Sequence, residues 1–535
     1  MKARALSLLL SLALLPCSTA AAAPSAPPAS LSYSIDLNRR ADDLFHVTLR
    51  VTGLRAENAV YHFAATAPGT YQVMNIGRYV KEFAAFDDRG RRVPAERIDV
   101  NQWRLSRPDM VRTIRYAINE TWDSPLAPIY RMCGTSLEHD HVLLNPHAVI
   151  GYPEGLQAAP VRLRLAYPAG WQAGTALKRG PDGVYVADNY DQLVDSPILL
   201  GTLSKARLVV TGVPIDVYAY SETGKIKAAQ LLGSMSEMLH AAGRFLGRLP
   251  VDRYTFLYHF GDAAAGAWEH SFSSEYVLED GEFTDSVGRR VTDIAAHEFF
   301  HIATPLNIHS EIIERFNFVT PVPSRHLWLY EGTTEWAAHA MQLRAGLVTP
   351  EEYLETQIRK MRIDRQAFDS TWSLMKLALT SYSDSGQAQY GNIYMRGALT
   401  AGLLDIRLLE LSHGERGLRD LVVELARRYG KRRAFPDSTF VDTVVAMTYP
   451  EVREFFARHV LDAQPLPIRE YYARLGIALV ADENGQPLRF EIDPDPTPDQ
   501  LALREAWLGR SVRSSSASGT RRRRRGRGTA AARPR

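Results

Sequence analysis

The sequence predicts a multidomain protein, an N-terminal antiparallel β-sandwich followed by a mostly helical α+β body. Three observations predict it. At 535 residues the chain exceeds a single core at domain sizes of about 100–200 residues. Its composition of 45% hydrophobic and 23% charged residues can fill packed cores, while 36 Gly and 30 Pro interrupt any long heptad, which excludes disorder and coiled coil. The hydrophobic period also changes near residue 220, from two residues to about 3.6.

The opening stretch, residues 1–22, pairs Lys2 and Arg4 with an apolar run from Leu6 to Leu15 and small residues from Ser18, the layout of a secretory signal peptide. An exported protein, periplasmic or secreted, is expected. Pro16 speaks against lipid attachment at Cys17, since that position wants a small residue. Cleavage near Ala20–Ala23 leaves Cys133 as the sole thiol, so no intramolecular disulfide is expected. No other stretch reaches the ~18 uninterrupted apolar residues of a transmembrane helix.

Residues 30–205 read as the β-sandwich domain. Phe45, Val47, Leu49 and Val51 alternate with polar neighbours, as do Val161, Leu163, Leu165 and Tyr167, and turn signals such as Pro68-Gly69 separate the runs. Residues 206–464 form the second domain: after the alternating Ile215, Val217 and Ala219, the run Ile226–Leu246 and the stretch from Glu351 into the 460s carry helical patterns. Residues 465–510 mix a short helix with strand-like pieces. Residues 511–535 are Ser, Gly, Ala and Arg, a composition that forms no core and reads as disordered.

Ten of the 63 basic residues are arginines between 510 and 535, and Lys2 and Arg4 are two more, leaving 51 basic against 60 acidic residues in the body. An acidic body argues against a specific nucleic-acid partner, although a run such as Arg521–Arg525 attracts polyanions.

The strongest chemical signal is His297-Glu298-Phe299-Phe300-His301. Ile294, Ala295 and Phe300 at core-like spacing predict a helix, which puts both imidazoles one turn apart on one face, where they can reach one ion. Glu298 then stands beside the metal as a general base for water. A catalytic zinc takes a third protein ligand. Glu331, in Leu327-Trp328-Leu329-Tyr330-Glu331-Gly332, is the choice for it. Glu335, four residues on, is either the acceptor that fixes the tautomer of a ligating His or a solvated charge on a helix face. His309, His326 and His339 lack the i, i+4 geometry and are assigned no ligand role.

These motifs, with several others in order, make the chain resemble the glycyl aminopeptidase family of zinc metallopeptidases, metallopeptidase family 61, within the gluzincin group. Ala67-Pro68-Gly69-Thr70-Tyr71, Arg78-Tyr79-Val80-Lys81-Glu82-Phe83 and Asp195-Ser196-Pro197 are similar to its N-terminal β domain. Gly266-Ala267-Trp268-Glu269-His270, His297–His301, Glu331-Gly332-x-Thr334 and Tyr394-Met395-Arg396-Gly397 are similar to its active-site segments. The resemblance implies a gluzincin-like, thermolysin-like catalytic domain over 206–464. It also implies that Glu269 sits on an edge strand and binds the α-ammonium of the substrate, and that Tyr394 donates its hydroxyl to the oxyanion. Without the resemblance, Glu269 reads as a surface carboxylate at a strand end and Tyr394 as a core residue of a helix beginning near Asn392. Two departures stand out. The segment Ile302–Asn307 lacks the Trp usually found two residues after the second His, and too few residues follow Pro465 for a complete PDZ domain.

The expected function is therefore that of an exported aminopeptidase with one zinc ion per chain held by His297, His301 and Glu331. It would remove Gly- or Ala-like N-terminal residues from peptides, with Glu298 and Tyr394 catalytic. The alternatives are a zinc endopeptidase of the same fold and an inactive peptidase-like binding protein, against which the intact Glu298 argues.

Overall fold

The computed structural model describes residues 30–262, 266–431 and 433–510. The expected signal peptide over 1–22 and the arginine-rich tail over 511–535 lie outside them. Among the described residues no helix is long and apolar enough to cross a membrane.

The first part is a β-sandwich. An eight-stranded sheet has at its centre Val161–Ala166, Ser30–Asp36, Leu44–Thr52, Thr113–Asn119 and Val80–Phe86 in that spatial order. Its inward residues include Leu31, Tyr33, Val47, Leu49 and Ile114. They face a four-stranded sheet built on Val60–His62 and Gln102–Leu105, so that Phe63 meets Tyr116 edge-on across the layers at 5.1 Å. The expected antiparallel arrangement holds except at one pair: Ser30–Asp36 runs parallel to Val161–Ala166, with Leu31 opposite Val161. Alternation encodes which face a residue occupies but not the direction of its neighbour.

A third small sheet, containing His141–Leu144 and Ile198–Gly201, lies against the next unit. There Leu143, Leu199 and Leu203 pack on Tyr220, Leu257 and Val277. These last belong to a five-stranded sheet ordered Ser204–Val210, Val213–Ser221, Tyr254–Gly261, Ser273–Glu279 and Gly266–His270. Strands therefore continue to Glu279, beyond the period change expected near 220. Every residue of Tyr254–Gly261 is buried. A strand covered on both faces reads as a continuous apolar run and shows no alternation.

One helix lies between the strands of this sheet, and beyond Glu279 the chain is mainly helical. Helix Ala228–Leu246 and helix Asp285–Phe300 pack together, with Thr292 Oγ1 donating to Ser234 O at 3.1 Å. Helices Thr333–Ala345, Pro350–Ala367 and Asn392–Leu411 complete the layer around one apolar core. The last described part holds short helix Ile468–Ala473, a two-stranded ribbon of Ile477–Ala481 and Pro487–Ile492, and helix Pro498–Trp507. Arg344 Nε clamps that helix through Trp507 O at 3.1 Å.

Candidate active site

Thr284 caps helix Asp285–Phe300 by accepting from Val287 N at 3.3 Å, and the buried face from Gly288 to Phe300 docks it in the core. His297 and Glu298 occupy its last turn, and His301 caps its end. The two imidazole rings lie 4.8 Å apart, as the i, i+4 spacing requires.

Glu331 lies on a π-helical turn, Trp328–Gly332, that leads into helix Thr333–Ala345. Such turns are rare and concentrate at functional positions. Its Oε2 stands 3.5 Å from His297 Nε2 and 3.6 Å from His301 Nε2. The donor atoms of His297, His301 and Glu331 all fall within 4.8 Å of one another.

The opposite ring nitrogens are held. His297 Nδ1 donates to Glu335 Oε2 at 2.8 Å and His301 Nδ1 to Thr304 O at 2.9 Å. Both acceptors require a proton on Nδ1, so each imidazole in its neutral form presents the Nε2 lone pair toward the space beside the Glu331 carboxylate. Two imidazoles and a carboxylate prepared in this way form a donor set that suits a zinc-type cation. Thr304 occupies the segment that lacks the Trp, and its carbonyl also accepts from Thr334 Oγ1 at 3.4 Å.

Glu335 is not a solvated helix charge. It is largely buried and pairs with Lys360 Nζ, itself buried. Burial pushes its carboxyl up, but Lys360, His339 and His297 outweigh this and hold it well below the usual range, so it stays ionised. Sequence reasoning missed Lys360, although the signal was present. It lies in line with Tyr353 and Gln357 on the buried stripe of helix Pro350–Ala367, where a lysine needs a partner.

Burial and the carboxylates of Glu331 and Glu335 raise Glu298 to about 8, against the opposing pull of His297. His301 is lowered to about 4, chiefly by burial. Burial also acts on Glu331, yet His301, His297 and the Tyr394 hydroxyl bring it below its ordinary value.

Glu269 lies on the sheet's edge strand, Gly266–His270. Alternation turns Trp268 and His270 to one face and Glu269 to the other. His147 packs edge-on against Trp268 at 5.3 Å, and Asp195 accepts from Ser271 N at 3.0 Å, which anchors the following turn. Glu269 is 9% exposed, and its carboxylate reaches within 4.8 Å of donor atoms on Glu298 and His301. Among the described residues no Lys or Arg pairs with it, and burial with Glu331 and Glu298 drives its carboxyl well up.

Tyr394 lies in helix Asn392–Leu411, its ring 5.5 Å from that of His297, and its hydroxyl meets that of Tyr390 at 3.4 Å. Arg396, about half a turn on, points away and donates to Ser370 O at 2.9 Å. All seven residues singled out in the sequence, Glu269, His297, Glu298, His301, Glu331, Glu335 and Tyr394, thus belong to one cluster. His326 sits apart, bonded to Asp437 O at 2.8 Å.

Residues 32–202 match the peptidase M61 N-terminal domain and residues 290–400 match M61 glycyl aminopeptidase. Among solved structures, the chain is similar to an aminopeptidase N family protein from Idiomarina loihiensis, with a TM-score of 0.75 at 20% identity over 85% of this chain and 81% of that one. No curated protein matches the chain by sequence.

Proposed function

The chain belongs to the M61 glycyl aminopeptidase family, whose two domain descriptions together match just over half of it, and is a peptidase; from that premise we propose that it is an exported, zinc-dependent aminopeptidase that removes small N-terminal residues from peptides. The observation that carries the reading is the position of Glu269. It is a buried carboxylate that pairs with no Lys or Arg among the described residues, within a few ångströms of both the candidate base Glu298 and the candidate metal ligand His301. A site with that surplus of negative charge is completed by a metal cation and a substrate ammonium.

His297, His301 and Glu331 would hold the zinc, which when bound acts as a Lewis acid toward the scissile carbonyl and makes water more acidic. Glu298 accepts the proton of the attacking water and returns it to the departing amine, a role suited to a carboxylate whose burial raises its proton affinity. Tyr394 donates its hydroxyl to the carbonyl oxygen as negative charge gathers there. Glu269 binds the α-ammonium and so sets the bond that is cut at one residue from the end. Glu335, with Lys360 and Thr304, keeps both imidazoles in the tautomer that presents Nε2.

The test is metal analysis of the purified protein alongside hydrolysis of Gly-, Ala- and Leu-anilides and of their N-acetylated forms. Stoichiometric zinc with cleavage of the free-amine substrates alone is expected. Equal cleavage of the acetylated forms would establish an endopeptidase, and bound zinc without hydrolysis a binding protein. Export rests on the layout of residues 1–22, and mass spectrometry of the mature N-terminus tests it.

A further inference from the structure

We infer that Tyr71, carried into the helical half by the N-terminal β domain, walls the pocket for the first side chain of the peptide and that its ring restricts that side chain to glycine or alanine size. The inference rests on the aminopeptidase reading above.

The loop Ala67–Tyr71 leaves its own sandwich to reach the edge strand. Trp268 Nε1 donates to Pro68 O at 3.1 Å. Gly69 adopts a φ of +79°, and a Cβ there would stand 2.6 Å from Glu269 Oε1 and 2.7 Å from Trp268 Nε1. Only a bare backbone passes this close to the carboxylate.

Tyr71 follows with a φ of +46°, a left-handed conformation that residues with side chains seldom adopt and that clusters at ligand sites. It is 5% exposed and belongs to the core of the helical half, not to that of its own sandwich. Its ring packs on Tyr390 at 5.3 Å and Tyr382 at 6.1 Å. Gln387 Nε2 donates to its carbonyl at 2.6 Å, which fixes the loop from the helical side. The ring is thus held between Gly69, which passes Glu269, and the pair Tyr390–Tyr394, whose rings lie 5.8 Å apart and whose second member stands 5.5 Å from the His297 ring.

These contacts locate the ring against the substrate. The ammonium sits at Glu269 and the scissile carbonyl at the His297–His301–Glu331 cluster, so the atom between them is the α-carbon of the first residue. A ring held between the loop at Glu269 and the tyrosine pair beside His297 faces that carbon and what it bears. With Tyr71, Tyr390 and Tyr394 in successive contact, the wall is rigid, and a close-packed wall yields little space for branched or aromatic groups.

The experiment compares kcat/KM for alanine and leucine p-nitroanilides in the wild type, Tyr71→Gly, Tyr71→Asn and Tyr71→Phe, with zinc content measured throughout. Gly and Asn both tolerate a positive φ, so these variants remove the ring without straining the loop. The leucine-to-alanine ratio is expected to rise at least ~10-fold in both, the lower end of what a methylene-scale difference discriminates. Tyr71→Phe, which keeps the ring, is expected to stay within about threefold of the wild-type ratio. A ratio unmoved in Tyr71→Gly and Tyr71→Asn would overturn the inference. So would a parallel loss of both activities, which would assign Tyr71 to holding the site together, or a shift in Tyr71→Phe as large as in Tyr71→Gly. A wild type that cleaves neither these anilides nor the glycine anilide would refute the aminopeptidase reading itself, an outcome distinct from active enzyme with an unmoved ratio.

Discussion

Gly332 and Gly397 lie back to back: a Cβ on Gly332 would meet Gly397 Cα at 2.6 Å, and one on Gly397 would meet Gly332 Cα at 2.8 Å. The contact presses the turn bearing Glu331 onto the helix bearing Tyr394, which sets the separation of those two side chains. Gly397→Ala is therefore expected to destabilise the protein by about 1–3 kcal/mol, as overpacking does, and to lower kcat/KM at least tenfold at a temperature where the variant is folded. Thermal melting with kinetics checks this. Wild-type values in both would show that the two backbones separate without consequence.

Glu298→Gln keeps the size of the side chain and removes its basicity. Because Glu298 lies outside the ligand triangle, zinc content should stay at one per chain while kcat falls by at least ~10², the lower limit of general-base assistance. A variant with full metal and near-normal kcat would remove Glu298 from the mechanism.

Glu331 and Glu335 should separate cleanly in a metal titration. Glu331→Ala is expected to abolish zinc retention and activity together, whereas Glu335→Ala leaves three donors in place and should weaken affinity by about 10–100-fold. The reverse order would exchange their roles.

Glu269→Ala should raise KM and lower kcat together for free-amine substrates, at a cost of roughly 2–5 kcal/mol in kcat/KM, because the same ion pair holds and positions the substrate. The informative quantity is the ratio of kcat/KM for a free and an N-acetylated version of one peptide. It should be large in the wild type and collapse in the variant. A wild-type ratio near one would mean that no terminal-amine site exists.

Acid should loosen the seam between the sandwich and the five-stranded sheet. Burial lowers His147 to about 3 and, with His141 beside it, His259 to about 3. Burial also lowers His141, against the pull of Asp140, and its Nε2 meets His259 Nε2 at 2.9 Å. A histidine whose folded value lies below its unfolded value of about 6.5 takes its proton mainly when unfolded. Its stabilising contribution is thus full above about pH 6.5 and lost as pH falls from there toward 3, at up to about 1.4 kcal/mol per pH unit for each group. Urea unfolding at pH 7 and pH 5 should show the loss, and His259→Gln should flatten it. Equal slopes in variant and wild type would contradict the assignment.

The chemistry carried by local spacing was legible in the sequence. His297, Glu298 and His301 share one helical turn, and Glu331 and Glu335 share the next element, so their convergence followed from periodicity even though Glu331 sits on a π-turn. The sandwich was equally legible, since Phe45, Val47, Leu49 and Val51 are all buried as their alternation implies. What escaped was set by distant partners. Lys360 has meaning only beside Glu335, Thr304 only beneath His301, and Tyr71 only because its loop crosses to Glu269. No local pattern records which loop crosses a domain seam. The strand Tyr254–Gly261 was hidden for a different reason, because full burial erases the alternation that marks a strand.

The reach of the Pro68–Tyr71 loop into the helical half also bears on biosynthesis. Trp268 and its partner Pro68 are 200 residues apart, and Gln387 and Tyr71 are 316 apart. A nascent chain that has grown only to residue 330 already possesses both histidines and the base, yet lacks Glu331 and Tyr394. A centre assembled in this order is latent by connectivity: no stretch of the chain ending before Tyr394 carries the base, the ligand set and the oxyanion donor together.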